Sequence, residues 1–344
     1  MGSMGKFAFL ASILGFSLGL AFAAHAADPT PPRSILSVAR PAGMPPISFA
    51  GANGHAAHVF PTVNTHAQIK AATSAGQPPS FVNGQLTYNG GPVMGPNLVV
   101  YNIFWSPHGT LSTTFQNAMN ILANYYPNHS LASNNTQYYS GTSPKIYVNA
   151  TGGWGGSFVD TQAFPANGCS DPYTTTCMSD SQLQAEIARV MGVKGWTGGL
   201  NKIFMIYTEP GVGSCFSGSS TCAYSYFCAY HSYMTVNSAN VIYANEPYGD
   251  PTYCQIPGVP SPHNDPYIDT TATSASHEIT EAVTDPLLNA WYDYAGNEIG
   301  DICAYRYGPL NWRSQTANQM WSGNYFLLQQ EYDNVINSCV SAGP

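Results

Sequence analysis

Charge is what this chain has least of. Only 8% of its 344 residues are Asp, Glu, Lys or Arg, against roughly 25% in an average soluble protein. Ten Lys+Arg stand against eighteen Asp+Glu. With no basic patch to neutralise phosphates, the composition argues against nucleic acid as a partner. After the N-terminal leader, no apolar run reaches the ~18–20 residues that a bilayer span needs. This argues against a membrane location once the leader is gone. Closely spaced CxxC pairs are missing, which argues against a zinc ribbon. So is a G-x-S-x-G elbow, because neither Gly213-Ser214-Cys215 nor Gly218-Ser219-Ser220 fits it. Nothing therefore marks the nucleophile of an α/β-hydrolase.

What is present points to export. Lys6 precedes an apolar run from Phe7 to Ala24, and Ala24-His25-Ala26 forms a small-x-small cleavage site. Residues 1–26 are expected to be a signal peptide, with Ala27 as the new terminus. The expected destination is extracellular, or the periplasm in a bacterium. Eight cysteines in an exported chain imply four disulfides. Order along the chain suggests Cys169–Cys177, Cys215–Cys222, Cys228–Cys254 and Cys303–Cys339. The roughly 105 connectivities open to eight cysteines leave that pairing an expectation. Asn128, Asn134 and Asn149 begin N-x-S/T sequons.

Residues 27–85 are rich in Pro, Ala and Gly without a sustained period, and read as a linker or pro-segment. His55, His58 and His66 lie there and are expected to be solvated loop residues; masking a metal in a latent precursor is the alternative. The ordered domain is expected over residues 86–344. Asn97–Trp105, Lys145–Thr151, Asn201–Thr208 and Ala239–Asn245 read as strands. Leu111–Tyr126 and Ser179–Met191 read as amphipathic helices, with a Cys- and Tyr-rich excursion between the last two strands. Helices alternating with strands predict a single α/β (α+β) domain, a mixed sheet backed by helices and braced by disulfides.

The chemistry concentrates between Ser276 and Cys303. The stretch from Thr270 reads as a helix started by Thr273, Ser274 or Ser276 and stopped by Pro286. On it, His277 and Glu281 share one face at about 5–6 Å between Cβ atoms, which suits two ligands of one cation. Glu278 stands beside them as candidate general base. The resulting H-E-x-x-E resembles the H-E-x-x-H of zincins, with Glu281 in place of the second His. That exchange weakens the metal as a Lewis acid and widens tolerance towards harder ions. One divalent metal is expected, zinc first, with calcium or manganese also accommodated.

Downstream, Asn297-Glu298 and Asp301 resemble the N-E-x-x-x-D element of thermolysin-like gluzincins, with one residue fewer between the acids. The resemblance implies Glu298 as third ligand and Asp301 as a partner orienting His277, and the spacing leaves the two free to exchange roles. Asp285 continues the helix face as further support. His231, beside Cys228, is a candidate donor to a developing oxyanion, with packing beside the disulfide as the alternative. His263 is either a further ligand or a loop residue. A zincin-like domain with this site implies a secreted endopeptidase that acts on extracellular protein or peptide through a metal-activated water.

A wider resemblance runs from Leu86 to Cys339. It is carried by LTYNGGPVMGPNLVVYNIFW, FCAYH at Phe227–His231, SHEITEAVTDP at Ser276–Pro286, and NAWYD followed by EIGDICAYRYG. These segments resemble the Exordium, or phosphate-induced protein, family of plants and its microbial relatives. That resemblance implies an extracellular protein linked to growth or the cell wall, and supplies the alternative to the endopeptidase: a non-catalytic protein with a structural cation or none. A cell-wall polysaccharide is then the expected partner.

Overall fold

The computed structural model describes residues 1–2, 31–38, 40, 43–50, 56–76, 85–216 and 221–343. The expected signal peptide and His55 lie outside the described residues. Residues 32–344 form one compact unit, separate from residues 1–31.

Its centre is a seven-stranded mixed sheet. The strands are β1 (Ser48–Ala50), β2 (Ala56–Pro61), β3 (Leu98–Trp105), β4 (Gly152–Asp160), β5 (Lys202–Thr208), β6 (Phe227–Val236) and β7 (Ala239–Glu246). Their order across the sheet is β1-β2-β6-β7-β5-β3-β4. One half, β7-β5-β3-β4, is parallel; the other, β1-β2-β6-β7, is antiparallel. The four principal helices are α1 (Val63–Gly76), α2 (Thr113–Tyr125), α3 (Asp180–Lys194) and α4 (Pro266–Thr284).

Strand alternation decides the layers. Val100, Phe104, Met205, Ile242 and Ala244 face α2 and α4. Ile103, Phe204, Ile206, Val241 and Tyr243 face α3. Both faces are covered, which is why these strands read as continuous apolar runs.

Caps set the helix ends. Ser112 Oγ accepts from Phe115 N–H ahead of α2. Ser179 and Gln182 form a capping box on α3, which runs three residues past its expected end at Met191 before Gly195 in the left-handed region closes it. α4 starts earlier than its Thr/Ser run predicts, because Asp265 accepts from Tyr267 N–H and Pro266 fills the first turn. From Ile268 to Thr284 every residue of α4 is buried.

Two stretches differ from the sequence reading. Residues 48–50 and 56–76 are not a structureless linker: β1 and β2 are strands of the main sheet and α1 follows them. Composition hid this, because β2 is only AAHVFP and its pairing partner β6 lies far along the chain. The Cys- and Tyr-rich excursion likewise contains β6, the strand that joins the N-terminal edge to the parallel half. The four disulfides pair Cys169–Cys177, Cys215–Cys222, Cys228–Cys254 and Cys303–Cys339. No helix among the described residues is long and apolar enough to cross a membrane.

Candidate metal centre

Sheet register builds the floor of the site. Antiparallel pairing sets His58 of β2 directly opposite His231 of β6, and Ser48 of β1 opposite His58. Paired residues on neighbouring strands point to the same face, so both imidazoles rise beneath α4. Their ring centroids are 5.9 Å apart. α4 lowers His277, Glu278 and Glu281 onto them. The loop after α4 closes the side with Glu298 and Asp301, and the Cys303–Cys339 bridge pins that loop to the C-terminal segment. Gly300 permits the close approach: a Cβ there would lie 2.5 Å from His277 Nδ1. Gln329 Nε2 donates to the Gly300 carbonyl and Tyr332 N–H to that of Ile299.

Distances divide the acids between the imidazoles. His58 Nε2 lies 2.6 Å from Asp301 Oδ2 and 4.0 Å from Glu281 Oε2. His231 Nδ1 lies 3.1 Å from Glu278 Oε2 and 3.6 Å from the same Glu281 Oε2. Glu298 reaches the far side of both rings, with Oε1 3.5 Å from His58 Nδ1 and Oε2 3.8 Å from His231 Nε2. His277 Nε2 faces Glu281 Oε1 at 3.0 Å and Asp301 Oδ1 at 4.0 Å. Asp301 N–H donates to Glu281 Oε1, and Glu298 N–H to Asp301 Oδ2.

All of these side chains are sealed. His58, His231, His277, Glu278, Glu281 and Glu298 are 0% exposed, and Asp301 is 8% exposed. Burial first, then the carboxylate of Glu281, pushes the Glu278 carboxyl well above its ordinary range. Glu298 is raised in the same way, by burial and then by Asp285 and Glu281. Burial also pulls upward on Asp301, but the adjacent His58 outweighs it and holds the carboxyl low. His58 is the mirror case: burial pulls it down, while Asp301 and Glu281 carry it above its usual value. Burial, then His58 and His277, drives His231 well below the usual range.

Many donor atoms here have no hydrogen-bond partner: His231 Nε2, both nitrogens of His277, Glu278 Oε1, Glu281 Oε2, both oxygens of Glu298, and Asp301 Oδ1. Leaving a buried polar group unpaired costs about 1–3 kcal/mol, and more when it is charged. A divalent cation fits this donor set of imidazole nitrogens and carboxylate oxygens. Two groups have donor atoms all within 4.8 Å of one another: His58, Glu281 and Asp301, and His231, Glu278 and Glu281.

The expected site residues therefore converge, with Asp301 on the His277 side as the resemblance implies and His58 added to the set. Glu298 faces His58 and His231, and Asp301 is the acid nearer His277. Asp285 turns instead to the helix end, accepting from Asn289 and Ala290 N–H at 2.6 Å each. Burial raises its pKa to about 7. His263 pairs with Asp269 at 2.5 Å at the opposite end of α4. His66 is half-buried on α1, its ring against Tyr305. Sequence reasoning passed over His58 as a site residue. The one available signal was its place in the short alternation Ala57-His58-Val59-Phe60.

The chain is similar to Protein EXORDIUM-like 3 of Arabidopsis thaliana. The two are 32% identical over 111 residues, which cover 27% of this chain and 32% of that protein. The chain thus spans about a third of the length of the curated relative it matches. This likeness supports an Exordium relationship over part of the chain. No protein-family model matches the chain, and no solved structure does.

Proposed function

We propose that this is an extracellular, Exordium-like protein in which a divalent cation, zinc or manganese by donor chemistry, is built into the fold rather than presented to a substrate. One observation carries this reading: the chamber floored by His58 and His231 is lined with unpartnered donors and is closed to solvent. A hydrolytic metal needs an open coordination position that the reactant can reach. A structural one needs only a closed shell, and its binding free energy becomes folding free energy. Export is supported by the four disulfides and the N-terminal leader.

The endopeptidase reading retains one specific support. His277, Glu278 and Glu281 stand on one helix in HExxE order, and Glu278 Oε1 is unpartnered. Glu278 is fully buried against His231, so peptide would reach it only after the chamber opened.

Metal analysis of the purified full chain, with thermal unfolding and peptide cleavage measured with and without chelator, separates the readings. A structural cation co-purifies, raises the unfolding temperature and supports no cleavage. Chelator-sensitive cleavage that Glu278→Gln abolishes, with metal retained, would establish the endopeptidase. A metal-free chain whose stability ignores added zinc and manganese removes both.

A further inference from the structure

Resting on the metal reading above, the geometry points to two cations in the chamber, bridged by a single oxygen, Glu281 Oε2. Ligand atoms around one cation at bond lengths of about 2.0–2.2 Å lie roughly 3–4 Å from one another. His58 Nε2 and Asp301 Oδ2, paired directly at 2.6 Å and so needing to part for a cation to enter between them, lie with Glu281 Oε2 in one group; His231 Nδ1 and Glu278 Oε2, 3.1 Å apart, lie with it in the other. The 4.0 Å and 3.6 Å separations of that oxygen from the two nitrogens are ligand-to-ligand distances, one for each cation. Glu281 Oε2 has no hydrogen-bond partner and is fully buried, so it is free to bridge. Its other oxygen is occupied: Oε1 accepts from Asp301 N–H and faces His277 Nε2 at 3.0 Å.

This arrangement gives every member of the cluster a role. His277 positions the bridge and is not itself a ligand. Metal-bound imidazoles are ordinarily held by a carboxylate on their other nitrogen. Ser48 Oγ meets His58 Nδ1 at 2.9 Å, and Glu298 sets one oxygen near the far nitrogen of each ring, at 3.5 Å and 3.8 Å, without a hydrogen bond to either. Glu298 is the shared clamp, and Asp301 is the ligand, the exchange of roles that their spacing left open.

The decisive experiment strips the full chain of metal, reconstitutes it with Zn²⁺ or Mn²⁺ alone, and counts bound ions by native mass spectrometry and elemental analysis. Two ions per chain are expected, with the six-line electron paramagnetic resonance signal of Mn²⁺ broadened by coupling between neighbouring ions. His58→Ala and His231→Ala should each retain one ion and restore an uncoupled signal, while Glu281→Ala should retain none. One ion in the wild type, with an uncoupled signal, would overturn the pair and leave the structural-cation reading standing. No ion would remove both. Should the variants fail to fold, as judged by circular dichroism, the wild-type count still decides.

Discussion

Tyr230 and His231 are neighbours on β6, yet they serve two unlike buried polar regions. Tyr230 points towards α3, where the Asp180 carboxylate is fully satisfied. Its Oδ1 accepts from Tyr230 OH at 2.8 Å and Tyr243 OH at 2.6 Å, and its Oδ2 from Gln184 Nε2 at 2.7 Å. His231 points the other way, into a chamber of imidazoles and carboxylates whose donor atoms lack such partners. One strand thus separates a closed hydrogen-bond network from an open ligand set. Burial alone does not mark a site; burial with unmet valence does.

The largest contrast is expected on metal removal. Stripping a cation held at ~1,000 times its Kd removes about 4 kcal/mol of stability. Thermal unfolding followed by circular dichroism should show a clear fall with chelator, reversed by Zn²⁺. An unchanged transition would put the two regions on equal footing. Next in size is Asp180→Ala, which strands the Tyr230 and Tyr243 hydroxyls in the core and should cost about 3 kcal/mol. Urea unfolding should register that loss equally with and without chelator. A loss that depends on chelator would mean the networks are coupled through the sheet.

A smaller effect changes sign between states. Glu281→Gln removes a buried carboxylate whose Oε2 has no hydrogen-bond partner, so in chelator the variant should be more stable than wild type by about 1–3 kcal/mol. In Zn²⁺ it should be the less stable of the two. Parallel denaturation curves check both, and a variant that is weaker under both conditions would argue that Glu281 is satisfied within the apo fold.

The smallest effect concerns a third carboxylate, Glu209. Burial pulls its pKa up, but hydrogen bonds from Ser106 Oγ, Thr110 N–H and His108 outweigh that and hold it below the ordinary glutamate range. A depressed carboxyl stabilises the fold above its unfolded pKa and loses that contribution as pH falls through its folded pKa. The unfolding temperatures of wild type and Glu209→Gln should therefore differ at neutral pH and converge as pH falls below the ordinary glutamate range. A gap that persists into acid would assign the effect to packing.

Local pattern made much of the frame readable. The strands at Leu98–Trp105, Lys202–Thr208 and Ala239–Glu246 are apolar runs buried on both faces, and α2 and α3 carry period and caps in their own residues. His277, Glu278 and Glu281 were legible because helical spacing puts them together. His58 was not, because its role comes from register: opposition to His231 is a property of two strands distant in the chain. The facing of Glu298 was hidden for a related reason. A loop's direction depends on Gly300 lying against His277 and on the Cys303–Cys339 bridge, neither of which motif spacing encodes.

The pairing of His58 with Asp301 spans 243 positions of the chain. During synthesis the first of these side chains emerges long before its partner exists, and long-range closure of this kind is slow. β2 must wait for the loop after α4 before His58 meets its carboxylate, so this chamber closes late. Chains shortened ahead of Asp301 would keep all seven strands of the main sheet but bury an imidazole without that partner. On the proposed metal reading such chains would also lack a ligand, so capture of a cation would report that synthesis had passed Asp301.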